Sequence, residues 1–357
     1  MTDQAPLPLV FDGHNDVLTR LTRKTSEDPA VDFVAGDGRG HLDLPRMREG
    51  GFGGGLFAVW IPSPFDPASY EEEMGGARYS MRLPEPVSQA EALPAALHMT
   101  AMLTRMEARS QGAFRTCRSA ADIRAAMEEG AVAAVLHFEG AEAIDPDFYA
   151  LDVFYAAGLR SLGPVWSRPT IYGDGVPFRF PSSPDTGGGL TDLGKALVKA
   201  CNARRIAIDL SHITEKGFWD VAALSDAPLI ASHSNVHDIC PHARNLTERQ
   251  MHAIRDSGGI VGLNFATQFL RPDGRRGANM TLDIMLAHLD RMIAVMGVEH
   301  VGLGSDFDGA EIPNDIGDAA GLPRLLGAMR AHGYDEETLR LLAHGNWLRV
   351  LETTWGE

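Results

Sequence analysis

The chain has 357 residues, 44% hydrophobic and 22% charged, a composition that excludes a disordered segment or a small disulfide-stapled scaffold and supplies ample apolar material for a core. Asp and Glu number 48 against 32 Lys and Arg, a formal net charge of −16 that opposes phosphate backbones and anionic lipid, so neither nucleic acid nor a membrane is an expected partner. Cys117, Cys201 and Cys240 form no close pair, which leaves buried reduced thiols rather than a zinc knuckle or redox motif.

From the N-terminus, no basic segment leads into a long apolar one, and no apolar stretch reaches the roughly 18 residues of a membrane span, so a cytoplasmic protein is expected. Short apolar or β-branched runs follow at 7–16, 55–61, 131–139, 159–166, 206–212, 228–233, 259–265 and 300–306. Helical periodicity fills the intervals at 88–109, 120–129, 146–157, 191–204, 214–225, 247–257 and 281–296, then 320–332 and 335–353. Thr247-Glu248-Arg249-Gln250 has the form of a capping box. Eight strands interleaved with helices predict an α/β fold, a single (β/α)8 TIM-type barrel over residues 1–357 with long βα loops, rather than an open doubly wound sheet. Gly53-Gly54-Gly55 and Gly187-Gly188-Gly189 lack the context of phosphate loops and read as flexible turns. The segments 62–86 and 167–190 have no clear period, and loops of that length are usually functional or interfacial.

The strand ends carry the chemistry. The first run closes on His14 and Asp16, which strand alternation points to one face as a two-ligand metal clamp. The third closes on His137 and Glu139, the fifth on His212, the sixth on His233, and the eighth on Asp306 and Asp308. In a barrel these ends meet at the one face where active sites of the fold lie. Imidazoles and carboxylates crowded there call for a compensating cation; mixed nitrogen and oxygen donors suit zinc, with manganese or cobalt as substitutes. One strand-end His is commonly a hydrogen-bonded structural residue, and one Asp after a strand a helix N-cap. Five strands ending alike favour a site. His41, His98, His242, His252, His288, His332 and His344 lack that context and read as structural.

The set Asp12-Gly13-His14-Asn15-Asp16, Phe138-Glu139-Gly140, Asp209-Leu210-Ser211-His212, Ser232-His233-Ser234, Arg244-Asn245 and Gly304-Ser305-Asp306-Phe307-Asp308-Gly309 resembles the renal (membrane) dipeptidase family, a branch of the amidohydrolase-type metal barrels. The likeness runs to the closing Gly345-Asn346-Trp347-Leu348-Arg349-Val350 and includes the 21-residue step from His212 to His233 and the 11-residue step on to Arg244. It implies a binuclear zinc site in which His14 and Asp16 hold one ion, His212 and His233 the other, and Glu139 bridges them. It further implies that Asp306 shuttles the proton from the attacking water to the leaving amine, and that Arg244 grips the substrate's terminal carboxylate. Two positions depart from the family. Trp166 stands where an imidazole contacts the scissile region, and Ala266 where a substrate-facing Tyr follows Asn264-Phe265. His137 shares a strand face with Glu139 and is a candidate replacement imidazole, although a packed interior His is the plainer reading.

The expected function is therefore a zinc dipeptidase acting on short peptides with a free C-terminal carboxylate, L-Xaa-D-Xaa or L,L, with Trp166 among the substrate contacts. The family's membrane anchor and secretory leader are not seen, as in its bacterial cytoplasmic members, and a homodimer is allowed for. A metal-dependent amidase, lactamase or N-acyl amino acid hydrolase on the same scaffold is the alternative, and a non-catalytic metal-binding barrel a further one.

Overall fold

The computed structural model describes residues 5–23, 26–63 and 73–356. Eight parallel strands form the barrel: β1 Val10–Asn15, β2 Phe52–Trp60, β3 Val132–Glu139, β4 Leu159–Gly163, β5 Ala207–Ile208, β6 Ile230–Ser234, β7 Ile260–Asn264 and β8 Val301–Gly304. They pair in the order β5-β4-β3-β2-β1-β8-β7-β6. The last seam, between β5 and β6, is a bridge from Asp209 to Ile230 with a 2.7 Å hydrogen bond from the Leu210 N–H to the Ile230 carbonyl. The barrel is thus nearly closed, with apolar side chains buried on both faces of most strands, as expected where helices cover a parallel sheet.

All eight expected strands are present, but several are shorter than their apolar runs. The strands of runs 159–166 and 206–212 end at Gly163 and Ile208, with only the Asp209 bridge beyond the second, and the following residues bend into loops; His212 sits at φ +67°. Gly53-Gly54-Gly55 corrects the sequence reading: the triplet lies inside β2, not in a turn. A Cβ on Gly54 would stand 2.5 Å from the Ala133 carbonyl oxygen, and one on Gly55 2.8 Å from that of Asp12, so glycine here lets β1, β2 and β3 approach. Gly187–Gly189 does lie in a loop, where Asp174 accepts the Gly188 N–H.

The β1–β2 connection holds three short helices, Val17–Thr22, Pro29–Ala35 and Leu44–Glu49, that periodicity did not reveal. The two long aperiodic segments meet as an antiparallel ribbon, Tyr79–Ser80 against Arg179–Phe180, standing over the barrel mouth. Residues 64–72 of the first segment lie outside the described residues. Thr247 and Gln250 form the expected reciprocal cap.

Trp347, fully buried, closes the opposite end and donates its indole N–H to the Leu303 carbonyl at 2.9 Å. Gly13, Gly262 and Gly302 make room for it: a Cβ at these positions would lie 2.4, 3.1 and 2.7 Å from the indole. The three cysteines are buried and unpaired, and burial pushes each thiol up to about 12. Among the described residues no helix is long and apolar enough to cross a membrane.

Candidate active site

Of the strand-end side chains singled out above, His14, Asp16, Glu139, His212, His233, Asp306 and Asp308 gather at the C-terminal mouth of the barrel. Asp16 precedes the Val17–Thr22 helix, yet its carboxylate makes no capping hydrogen bond. Instead its Oδ2 lies 3.2 Å from His14 Nε2. Glu139, at the end of β3, stands between two groups: Oε2 is 3.5 Å from His14 Nε2, while Oε1 is 2.9 Å from His212 Nε2 and 3.4 Å from His233 Nε2. The two latter ring nitrogens are 3.1 Å apart. Their Nδ1 atoms face hydroxyls, Ser167 Oγ at 2.8 Å for His212 and Ser232 Oγ at 2.7 Å for His233.

Burial opposes charge on all of these groups, and their neighbours decide the outcome. For His14 the Glu139 and Asp16 carboxylates outweigh burial and hold the imidazole well above its usual range. Burial, with the nearby Arg244 and His14 charges, drives His212 and His233 well below it. Burial pushes Glu139 up to about 7 against the pull of His14, and raises Asp306 likewise. Glu139 and Asp306 therefore resist ionisation while His212 and His233 resist protonation, each because burial disfavours its charged form.

A metal fits this donor set. Ligand atoms of three groups, His14-Asp16-Glu139, Glu139-His212-His233 and His14-His233-Asp306, lie within 4.8 Å of one another. With their Nδ1 protons on hydroxyls, His212 and His233 would aim two lone pairs at each other, an arrangement a cation between them stabilises. The third group shows that Asp306 also lies within ligand reach, so proximity alone does not separate proton carrier from ligand.

Asp306, at φ +60°, accepts a 3.0 Å hydrogen bond from Asn264 Nδ2 and donates its backbone N–H to the His14 carbonyl. Asp308, at φ +67°, is a tether: Oδ1 accepts the His41 N–H at 2.6 Å and Oδ2 the Arg20 Nε–H at 3.2 Å. With His212, three non-glycine residues at positive φ cluster here, the kind of held strain that marks functional loops.

A cavity of about 400 Å³ opens onto the cluster, its wall including Trp60, Trp166, Phe178, Gln268 and Phe269, with Asp16, Glu139, His212 and Asp306 at its base. Trp166 packs edge-on against Trp60 and Phe178, with ring centroids 5.2 and 5.8 Å apart. Arg244 is buried and does not line this cavity. Its Nη1 donates to Ser234 Oγ at 2.9 Å and its Nη2 to the His233 carbonyl at 2.8 Å, while Nε has no partner among the described residues. The Phe269 ring lies 5.8 Å from its guanidinium. His137 is buried against Ser161 Oγ at 2.9 Å, a packed interior position, and Ala266 is fully buried. Sequence reading missed Trp60, Phe178, Gln268 and Phe269, because aromatics and amides in loops carry no spacing that announces a wall.

The family described as membrane dipeptidase, peptidase family M19, matches residues 5–355. The crystal structure of a metallopeptidase from Rhodobacter sphaeroides, liganded with a phosphinate mimic of the dipeptide L-Ala-D-Ala, is 55% identical with a TM-score of 0.96, covering 98% of this chain and 100% of that one. A second crystal structure, described as dipeptidase AC, a family M19 metallopeptidase, is 54% identical with a TM-score of 0.96, covering 99% and 100%. A Klebsiella pneumoniae protein from the pqqA 5′ region is 51% identical over 255 residues, 71% of this chain and 94% of that protein.

Proposed function

We propose, from the premise that the chain belongs to the membrane dipeptidase family, peptidase family M19, and is a metallo-dipeptidase, that it works with two zinc ions on dipeptides bearing a free C-terminal carboxylate. L-Xaa-D-Xaa dipeptides are the favoured class, with L,L second. The observation that carries the reading is the convergence of His14, His212 and His233 on the two oxygens of Glu139, with Asp16 beside His14, at the base of a cavity. The phosphinate mimic of L-Ala-D-Ala held by the Rhodobacter relative supports the substrate class.

His14 and Asp16 would hold one ion, His212 and His233 the other, with Glu139 shared. Ions bound there would supply a nucleophilic water at neutral pH and polarise the scissile carbonyl. Asp306 would be the group that takes a proton from the attacking water and gives it to the leaving amine. Asn264 holds the carboxylate in place. Trp60, Trp166 and Phe178 exclude water and pack the substrate's side chain. Arg244 has no carboxylate within ion-pair distance among the described residues, and the substrate's terminal carboxylate would supply the missing charge. The amidase alternative gains support from Arg244 standing off the cavity wall.

Metal analysis and a substrate comparison test the proposal. Protein prepared without chelator should hold two metal ions per chain, and Glu139→Ala should hold fewer. Wild type should strongly prefer each dipeptide over its C-terminal amide, and Arg244→Met should erase that preference at a cost of about 1.5–3 kcal/mol. Equal turnover of acid and amide by the wild type would shift the reading to an amidase; a metal content of one or none would remove the binuclear site.

A further inference from the structure

Asp209 and Ser232 belong to the strand-end motifs, yet the proposed chemistry leaves them without a task. Both are buried beneath the metal cluster, Asp209 just past β5 and Ser232 within β6 beside His233. Asp209 Oδ1 accepts the backbone N–H of Ser211 at 3.1 Å and of Ser232 at 2.7 Å. Its Oδ2 accepts the Ser232 hydroxyl at 2.5 Å. Ser232 Oγ also lies 2.7 Å from His233 Nδ1 and 3.3 Å from Ser211 Oγ. His137 Nε2 approaches Asp209 at 3.6 Å, too far for a hydrogen bond.

A hydroxyl has one proton. With that proton committed to Asp209, Ser232 can only accept from His233, so Nδ1 carries the ring hydrogen and Nε2 presents its lone pair toward Glu139 Oε1 and His212. Not every histidine of the cluster is held this way: among the described residues His14 Nδ1 has no hydrogen-bond partner. We infer that Asp209 is a positioning residue that acts through Ser232 to fix the tautomer of His233, and thereby sets how tightly the His212–His233 half of the site holds a divalent metal. This rests on His233 being a metal ligand.

The substitutions D209N, S232A and S232T separate this role from packing. Zinc is titrated into each metal-free protein against a chromophoric chelator, and the His233 ring N–H is followed by proton NMR. Wild type should take up two equivalents, one of which weakens about 10–100-fold in S232A, the range for losing a partner behind a ligand. S232T, which keeps the hydroxyl, should restore it. D209N should be at least as impaired as S232A although its shape is conserved. Its amide donates where the carboxylate accepted, and turns the Ser232 proton toward the nearer remaining acceptor, His233 Nδ1 at 2.7 Å rather than Ser211 Oγ at 3.3 Å. The ring N–H resonance should vanish or shift in D209N and S232A and persist in S232T. Wild-type zinc affinity and an unchanged resonance in D209N would overturn the inference while leaving the metal site standing. Failure of the wild type to bind zinc would overturn both.

Discussion

Asp306 tests whether moving a proton and holding a metal are separate tasks at this site. It lies within ligand reach of His14 and His233, yet its Oδ2 is already engaged by Asn264. Asp306→Asn should keep both metals and lower turnover about 100-fold or more, since an amide cannot carry the proton. Metal analysis beside a turnover assay checks this, and loss of metal in step with activity would make Asp306 a ligand. The ligand-type residues were legible because a strand points alternate side chains to one face and a barrel gathers strand ends at one mouth. What stands behind them was not. Ser167 bonds a histidine 45 positions away, and Ser305 donates to Asp12 across 293 positions, separations no local pattern encodes.

At the level of elements, periodicity found the long helices and failed on the short ones: Val17–Thr22 and Leu44–Glu49 have six residues each, fewer than two turns over which a 3.6-residue period could emerge. The glycines of β2 were misread because glycine signals a turn locally, whereas the need here comes from neighbouring strands. His288 shows an element fastened by a histidine that must stay neutral. Lying in the Asp283–Met296 helix, it accepts the Val236 N–H on Nδ1 at 3.1 Å and donates from Nε2 to the Leu270 carbonyl at 2.9 Å. A second ring proton would confront the Val236 N–H, and burial holds the imidazole down to about 4 against an ordinary 6.5. Above pH 6.5 the ring is neutral whether folded or not, and its contribution is fully present. As pH falls from there toward 4, the unfolded chain takes up a proton that the fold refuses, costing about 3 kcal/mol of stability by pH 4. Chemical denaturation across that window should show the decline, and His288→Gln should flatten it while lowering stability at neutral pH. An equally steep decline in the variant would assign it to other groups.

Across the whole molecule, the barrel is held at two ends by different means: polar side chains that gather at the mouth, and one indole in the floor. Trp347 touches strands from both halves of the sequence and sits over glycines that no other side chain could replace without clash. Trp347→Ala should cost about 3–5 kcal/mol, the range for deleting a large buried aromatic. It should do so with the order of strands unchanged, which calorimetry with circular dichroism would check; a loss under about 1 kcal/mol would mean the floor collapses to fill the gap.

The pairing of β1 with β8 also sets a timetable for synthesis. The strand that bears Asp12 and His14 leaves the ribosome before the other seven, but one of its two neighbours is the last strand of the barrel, with Asp12 waiting on Ser305 across 293 positions. At 5–20 residues per second that wait is roughly 15–60 s, during which an apolar strand edge has no partner. The nascent chain therefore gains from whatever shields its first strand, and a cell short of such shielding should accumulate the protein as aggregate long before the finished fold becomes unstable.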